Sequence, residues 1–228
     1  MKKIKIYIVT YKNDKCLNVN LRSLFSSDLM CHDYEINVIN NHSEINIDPS
    51  FEGVKLLNND LRPDFSTGHL SRNWNQALVN GFQDLNNPDS QIVVCCQNDN
   101  YFLSNWVSEL LKLHENYSFV QIGDGDNFMS HTVDSVKKIG LWDERFCGLG
   151  FQEGDYFLRA VLYNGKNSTI NDYAHKRFWN RCENNILDMS YTRNEDNAKI
   201  TKSNDNGRRY HAISGRIFRT KWPSYRSK

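Results

Sequence analysis

The hydrophobic positions of the chain follow two alternating patterns. Short runs rich in Ile, Val, Leu and Phe predict buried strands, and apolar residues spaced three and four apart predict amphipathic helices between them. The predicted strands are residues 4–9, 34–39, 54–57, 91–96 and 119–122. The predicted helices are residues 15–27, 67–82, 103–114, 132–139 and 153–163. This alternation predicts an α/β fold with a mainly parallel sheet flanked by helices.

The last fifth of the chain is patterned differently. It is polar from about residue 180, and the run Asn-Asp-Asn-Gly at 204–207 predicts a turn. Arginines and aromatic residues between 208 and 226 favour a helix over the sheet or a lid over a diphosphate. A nucleic-acid surface is disfavoured there because no nucleic-acid-binding motif surrounds these residues. No repeat or low-complexity tract marks a boundary, so we expect one domain over residues 1–228.

Composition narrows the class of protein. The 228 residues, 39% hydrophobic and 24% charged, are typical of a globular domain. The formal net charge of +1 gives the whole molecule no attraction to nucleic acid or to an anionic membrane. No apolar run approaches the ~20 residues that a bilayer span requires. The six cysteines form no C-x-x-C pair, which suits reduced thiols, so we expect a cytoplasmic protein without a transmembrane segment.

Polar residues follow four predicted strands at the point where each strand ends. In an open parallel sheet, the ligand crevice lies outside the carboxyl ends of the strands. Hydroxyl and amide groups in that place suit a sugar or a nucleoside better than an apolar ligand. Each segment taken alone also fits a simple turn. The segments are 10–13, 40–43, 58–60 and 98–100.

Six segments follow one another in an order that is typical of a known family. They are a first strand and loop at 6–12, a strand end close to V-x-D-N-x-S at 38–43, a helix close to G-x-x-x-A-R-N-x-G at 68–75, a strand and D-x-D-like element at 93–100, a block close to G-x-F-D-E-x-F at 139–146 and one close to E-D-x-D-L-x-x-R at 150–159. In this order they resemble the motifs of the GT-A fold glycosyltransferases, in particular the inverting nucleotide-sugar enzymes of family 2. Ser71 and Asn75 depart from the Ala and Gly of the helix motif. The resemblance covers about residues 3–222, and the ordered run is more specific than any single block.

The resemblance implies a single GT-A, Rossmann-like domain with a nucleotide-binding half at about 1–122 and an acceptor-binding half at about 123–228. It implies transfer of a sugar from a nucleotide-diphosphate donor, here expected to be UDP-linked, to a hydroxyl of a glycan or glycoprotein, with inversion. A divalent cation, Mn²⁺ or Mg²⁺, would neutralise the leaving diphosphate. The size also resembles that of virus-encoded enzymes that glycosylate their own capsids, for which the compartment would be the host cytoplasm.

The expected cation site is the D-x-D position of the resemblance. Asp99 with Asn98 or Asn100 offers carboxylate and amide oxygens, and His175 lies where the late metal-binding His of the family would fall. The family pattern has two acids here and this chain has one, so we expect a weaker site or one that depends on the nucleotide. The literal D-x-D at 124–126 is a rival, and a polar turn after a core strand is the plain alternative.

The expected nucleotide contacts spread over several strand ends and the second predicted helix. Arg72 would pair with phosphate, and Asp64 would bond to the base or ribose. Each also fits an ordinary surface or helix-terminal residue. The complete set of expected nucleotide contacts is Thr10, Tyr11, Asn41, Asp64, Arg72, Asn98 and Asp99.

Inverting transfer needs one general base that takes the proton from the acceptor hydroxyl. Aligning Arg159 with the last residue of E-D-x-D-L-x-x-R places Gln152, Glu153 and Asp155 at its acidic positions. Glu153 is the expected base, and Asp155 is an orienting group or second choice. Carboxylates two residues apart on a helix point to different sides, so both cannot do the same job. Both residues also fit first-turn acids that the helix dipole favours.

Two other function classes stay open. A sugar-phosphate nucleotidylyltransferase would share the nucleotide-binding architecture, but it needs a Gly-rich loop after the first strand, and residues 10–15 contain no glycine. A non-catalytic nucleotide- or carbohydrate-binding module fits the single acid at residues 98–100. Turnover with Mn²⁺, before and after Asp99→Ala, separates an enzyme from a binding module.

Overall fold

A computed structural model of the chain describes residues 3–42, 44–59, 70–123, 125–146, 150–164, 168–170, 187–188 and 203–223. Its strands are β1 (Lys3–Thr10), β2 (Asp33–Asn40), β3 (Lys55–Asn58), β4 (Ile92–Gln97), β5 (Tyr101–Phe102), β6 (Phe119–Ile122), β7 (Phe128–His131), β8 (Ser168–Ile170) and β9 (Leu187–Asp188). Its helices are α1 (Asp14–Phe25), α2 (Leu70–Phe82), α3 (Trp106–His114), α4 (Val133–Ile139), α5 (Phe151–Asn164) and α6 (Ser203–Lys221), with a short 3-10 helix at Asp28–Cys31.

Seven of these strands form one twisted sheet in the order β3-β2-β1-β4-β7-β6-β8. The first four are mutually parallel, β7 runs antiparallel to both β4 and β6, and β8 is parallel to β6. Strands β5 and β9 form a separate antiparallel pair. The predicted α/β class with a mainly parallel sheet is confirmed.

The core lies on both faces of this sheet because its central strands are covered on each side. Successive side chains of a strand point to opposite faces. In β1, Ile4, Ile6 and Ile8 therefore pack with α1 and α3, whereas Tyr7 and Val9 pack with α2 and α5. Strands buried on both faces carry the continuous apolar runs from which the sequence predicts them.

The structure corrects the prediction for the C-terminal segment. Residues 204–207 lie inside α6, so the predicted turn is wrong. Asn, Asp and Gly are common in turns, but Asn and Asp are also favoured where helices begin. Tertiary packing decides between these outcomes, since Ser214 is fully buried and Phe218 packs against the core cluster of α2 and α5. The sequence analysis also missed β7, whose four residues mix polar and apolar side chains.

A carboxylate from a different element caps the N-terminus of α3. The Asp28 carboxylate accepts hydrogen bonds from the backbone N–H groups of Val107 and Ser108 at 3.0 and 2.8 Å. These are two of the N–H groups that a helix leaves unsatisfied at its start. The cap fixes α3 directly after β4 and β5. Across the ranges that the structure describes, no helix is both long and apolar enough to cross a bilayer.

Candidate functional site

Parallel pairing brings the carboxyl ends of β1, β2 and β4 to one edge of the sheet. Backbone hydrogen bonds continue past the strands: the N–H of Asn98 donates to the carbonyl of Val9, and the N–H of Asn41 donates to the carbonyl of Thr10, each at 3.1 Å. The side-chain amide of Asn98 donates to the Thr10 hydroxyl at 2.8 Å. Three of the predicted nucleotide-contacting residues, Thr10, Asn41 and Asn98, therefore lie together at this edge.

Next to them is a cluster of side-chain amides between β3 and α2. The amide of Asn59 donates to the side-chain oxygens of Gln76, Asn73 and Asn41 at 3.0, 3.4 and 3.5 Å. The NH₂ groups of Asn41 and Asn73 are buried and have no partner within the described residues. Leaving a buried donor unpaired costs about 1–3 kcal/mol. These two donors therefore suit the carbonyl or hydroxyl oxygens of a ligand.

Tyr11 forms the rim of this edge. Its half-buried ring meets the ring of His42 edge-on, with 5.7 Å between centroids. The following residue, Lys12, has a positive φ of 53° and holds its ammonium group 5.2 Å from the centroid of the Tyr11 ring. The ring offers a flat apolar face next to hydrogen-bonding groups, an arrangement that suits stacking on a base or sugar.

The Asp99 loop, residues 98–100, follows β4 and is held by hydrogen bonds to Gln97 on one side and to Asn127 on the other. Asp99 is 5% exposed and Asn100 is completely buried. The side-chain NH₂ group of Asn100 donates to the carbonyls of Gln97 and Asn127 at 3.2 and 2.6 Å. Its side-chain oxygen is buried and has no partner in the described part of the chain. Burial and the Asp99 carboxylate raise the pKa of the Cys96 thiol, which stays neutral.

The oxygen atoms in this loop fit a hard cation, but they are few. The Asp99 carboxylate and the orphaned Asn100 amide oxygen are ligand types that Mn²⁺ and Mg²⁺ accept. No group of three His, Cys, Asp or Glu side chains close enough to hold a metal exists within the described ranges. His175 and Asp64 lie outside those ranges. A cation bound here would take its remaining ligands from the diphosphate and water.

Asp126 occupies a position that the sequence analysis did not foresee. It is 3% exposed, and it accepts hydrogen bonds from the indole of Trp74 at 2.8 Å, from the amide of Gln97 at 2.9 Å and from the side chain of Gln152. Burial raises the pKa of its carboxyl group. Because Trp74 and Gln97 each donate to one of its two carboxylate oxygens, Asp126 fits an internal anchor better than the rival metal ligand. Asp124 lies outside the described residues.

Glu153, the expected base, stands at the first turn of α5. Its carboxylate lies directly against the α-carbon of Gly125, which has a positive φ of 60°. The loop of residues 125–127 therefore touches Glu153 at one end, and at the other Asn127 accepts a backbone bond from Gln97 at 2.9 Å. The Asp99 loop and Glu153 thus flank the same short loop at one edge of the sheet.

Asp155 has a different environment from Glu153. It is completely buried and bonded to Arg159 at 3.0 Å, to Lys221 at 2.8 Å and to the indole of Trp222 at 2.8 Å. These contacts hold α6 against α5, which fits an orienting role and leaves no free face toward a substrate. Hydrogen bonds from Arg145 and Lys221 hold the pKa of neighbouring Asp143 well below its usual range.

Arg72, the expected phosphate partner, lies at the surface near the start of α2. Its guanidinium is 3.5 Å from the carboxylate of Glu144, which also accepts a 2.8 Å bond from Asn75. Asn75 and the backbone of Trp142 exchange two further bonds, at 2.7 and 3.0 Å. This region fixes the segment before α5, and a phosphate contact by Arg72 stays a prediction.

Solved structures resemble this chain in fold. TarS from S. aureus superposes with a TM-score of 0.52 at 11% identity over 75% of this chain and 35% of TarS. A structure of TarS residues 1–349 gives a TM-score of 0.50 at 11% identity over 71% of this chain and 56% of that one. The mannosyltransferase PcManGT from Pyrobaculum calidifontis, solved with GDP-Man and Mn²⁺, gives 0.48 at 11% identity over 75% and 55%.

The chain has the GT-A fold. It spans between a third and three fifths of the lengths of the solved structures that it matches. No protein-family model matches the chain, and no curated protein sequence does.

Several residues of the site were not singled out from the sequence. Asn59 lies in one of the polar strand-end segments and could have been found there. Other residues belong to the site only by their contacts with a residue of it. Asp126 is contacted in this way by Trp74, Gln97 and Gln152, and Asn59 by Asn73 and Gln76.

Proposed function

We propose that this chain is a glycosyltransferase that moves a sugar from a nucleotide-diphosphate donor to a hydroxyl of a glycan or glycoprotein, with inversion. One observation carries the proposal: the Asp99 loop and Glu153 flank one short loop, residues 125–127, at the carboxyl edge of a GT-A sheet. This edge is where open α/β sheets bind ligands. The donor would lie over residues 1–122 and the acceptor over residues 123–228.

The donor nucleotide is proposed to bind at the ends of β1, β2 and β3. The unpartnered amides of Asn41 and Asn73 would donate to oxygens of the base or ribose, and the Tyr11 ring would stack on the base. Two N–H donors complement the carbonyl oxygens of uracil, which supports a UDP-linked sugar. Thr10 and Asn98 shape this pocket, because their side chains bond to each other rather than outward.

Asp99 and Asn100 are proposed to hold the cation, Mn²⁺ or Mg²⁺, with His175 as a further ligand. The cation would neutralise charge on the departing diphosphate. The single carboxylate makes its affinity depend on the nucleotide. We therefore expect weak metal binding in the absence of UDP.

Glu153 is proposed to act as the base. It takes the proton of the acceptor hydroxyl while that oxygen attacks the anomeric carbon, and the bond to the diphosphate breaks with its electron pair leaving on phosphate oxygen. Gly125 sets the position of the Glu153 carboxylate. Asp155 holds α5 and α6 together and does not contact substrate.

Donor turnover tests these assignments. We expect Glu153→Gln to lower kcat about 10²- to 10⁴-fold with little change in KM for the donor. Asp99→Asn should abolish the stimulation by Mn²⁺. Glu115→Gln, at an exposed position at the end of α3, is the matched control and should leave turnover unchanged. Full activity in Glu153→Gln, with loss in Asp155→Asn at equal folded fraction, would reverse the two roles.

Donor binding is tested by thermal unfolding with UDP, GDP and Mn²⁺. A ligand that binds only the native state stabilises it by about 2.7 kcal/mol at 100 times its Kd. For a chain of this size we expect a rise in Tm of about 5–10 °C with UDP and Mn²⁺ together. Asp99→Asn should remove the part of the shift that depends on Mn²⁺. A larger shift with GDP would replace UDP as the proposed donor nucleotide.

A non-catalytic nucleotide-binding module is the second candidate, because Gln97 and Asn98 leave Asp99 as the one acid of its loop. Such a module would show the thermal shift with UDP but no turnover with any sugar donor. We also propose that the chain acts in a cytoplasm, that of a bacterium or that of the host of a virus. This part of the proposal rests on the six cysteines, which form no C-x-x-C pair and suit reduced thiols.

A further inference from the structure

Two exposed arginines on α6 differ from the other arginines whose side chains the structure describes. The others each pair with a carboxylate: Arg22 with Asp48, Arg72 with Glu144, Arg145 with Asp143, and Arg159 with Asp155. Arg216 and Arg219 have no carboxylate partner among the described residues. They are three positions apart on one helix, where like charges destabilise each other. Their conspicuous lack of a local counter-charge points to an anion from outside the chain.

The two arginines line an open groove of about 530 Å³ together with Thr220 and Pro223. The Thr220 hydroxyl donates to the Arg216 carbonyl at 2.9 Å, so the floor of the groove belongs to a regular turn of helix. No acidic side chain of the described residues lines it. The groove therefore presents positive charge and a hydroxyl oxygen to solvent.

The groove lies beside the helix that carries the proposed base. At Gly215, an added β-carbon would stand 3.0 Å from the ring of Phe151 and 3.1 Å from the Arg219 guanidinium. The backbone of α6, the Arg219 guanidinium and Phe151 therefore meet at this glycine. Phe151 is the first residue of α5, two positions before Glu153. The groove is thus a neighbour of the acceptor side of the site.

The support of the groove is rigid. A β-carbon added at Gly154 would stand 3.5 Å from the ring of Phe218, so α6 packs closely on α5 at this glycine. Lys221 and Trp222 bond to the buried Asp155. A helix that is anchored on α5 holds its outward-facing arginines at a fixed place relative to Glu153. A helix held in place brings both arginines to the anion without loss of backbone freedom, so that only their side chains must be ordered on binding.

We propose that this groove binds a phosphate group of the acceptor, so that the acceptor is a phosphate-bearing glycan. This inference rests on the proposed function, in which the chain transfers a sugar to an acceptor. The planar guanidinium fork matches the oxygens of phosphate in a bidentate manner, and two forks on one helix face suit an anion or a run of linked phosphates. A neutral glycan would leave both charges uncompensated.

Fluorescence anisotropy with fluorescein-labelled dextran phosphate tests the proposal, with unmodified dextran of equal length as the neutral probe. We expect the phosphorylated probe to bind more tightly than the neutral one. Arg216→Gln/Arg219→Gln should weaken its binding about tenfold, the size expected for two exposed charge contacts. The double variant should also lower the slope of log Kd against log salt by about 1–2.

The matched control is Arg22→Gln/Lys112→Gln, which removes the same net charge on α1 and α3. We expect it to keep the affinity for dextran phosphate. Equal weakening in both double variants would overturn the proposal, as would equal affinity for the two dextrans. Displacement of the probe by UDP with Mn²⁺ would assign the groove to the donor diphosphate and overturn it as well.

The anisotropy experiment also includes a single-stranded oligonucleotide as a third probe. If it binds more tightly than dextran phosphate and loses affinity in Arg216→Gln/Arg219→Gln, the groove is a nucleic-acid surface and the proposal fails. Failure of the groove is separable from failure of the proposed function, because the thermal shift with UDP and Mn²⁺ does not involve α6. That shift should be the same in the wild type and the arginine variant.

Discussion

At the scale of single residues, the site is built mainly from neutral amides rather than charges. Asp99 is the one acid of the segment that resembles D-x-D, and the amide of Gln97 just before it donates to Asp126 from another loop. The buried negative charge therefore sits behind the site, where Trp74 and Gln152 also donate to it. The result is an edge with one acid on each side of the 125–127 loop, Asp99 on one side and Glu153 on the other.

Gly125 provides a test at this scale. Its positive φ and its contact with Glu153 both require glycine, whereas Gly53 has a positive φ of 79° with open space around it. Gly125→Ala and Gly53→Ala should each lose about 1 kcal/mol of stability from backbone strain. Only Gly125→Ala should also lower kcat, by about 100-fold, because it displaces the Glu153 carboxylate.

Urea unfolding and donor turnover of the two variants make the comparison. If both alanine variants lost turnover equally, the contact between Gly125 and Glu153 would not position the base.

At the scale of elements, α2 carries a glycine, Gly81, where it packs against the sheet, although glycine has a low helix propensity. Gly81 faces Val93, the second residue of β4, and an added β-carbon would overlap the methyl groups of that valine. Alanine is about 1 kcal/mol better than glycine in a helix. Overpacking a core costs about 1–3 kcal/mol. Packing against Val93 therefore decides whether Gly81→Ala stabilises or destabilises the fold.

We expect Gly81→Ala to lower the free energy of unfolding by up to about 2 kcal/mol. Asn80→Ala, at the exposed neighbouring position, should be neutral or slightly stabilising. Adding Val93→Ala to Gly81→Ala should cost less than the sum of the single changes, since it removes the overlapping methyl groups. Strict additivity in urea unfolding would show that α2 shifts away from the sheet instead.

The helices and central strands were predictable because each carries its own periodic pattern. β1 and β4 show continuous apolar runs, and α3 shows a stripe that includes Trp106 and Leu110. The start of α6 and strand β7 were not predictable, because their residues fit several local structures. Contacts with distant segments select among those structures.

At the scale of the whole molecule, stability is linked to pH through a buried histidine. His131 is completely buried, with Nδ1 3.5 Å from both the Ser135 hydroxyl and the Tyr156 hydroxyl. Burial, together with the charge of nearby His114, lowers the pKa of His131 from 6.5 to about 3. The unfolded chain therefore takes up a proton at this residue before the folded chain does.

The stability that comes from neutral His131 is complete above about pH 6.5 and is lost as the pH falls toward 3. The expected slope from this residue is about 1.4 kcal/mol per pH unit. Urea unfolding between about pH 6 and 4.5 measures it. His131→Gln should flatten the slope by that amount, and an unchanged slope would show that the folded protein accommodates a charged imidazole.

The sequence by itself determined the α/β class, the order of the main elements, and the polar strand ends that hold Thr10, Asn41 and Asp99. It could do so because hydrophobic period and strand-end composition are local properties. Tertiary structure alone decided that Asp126 anchors Trp74, 52 positions away, and that Lys221 secures Asp155, 66 positions away. Such pairs form only when folding brings distant segments together, and no local pattern encodes them.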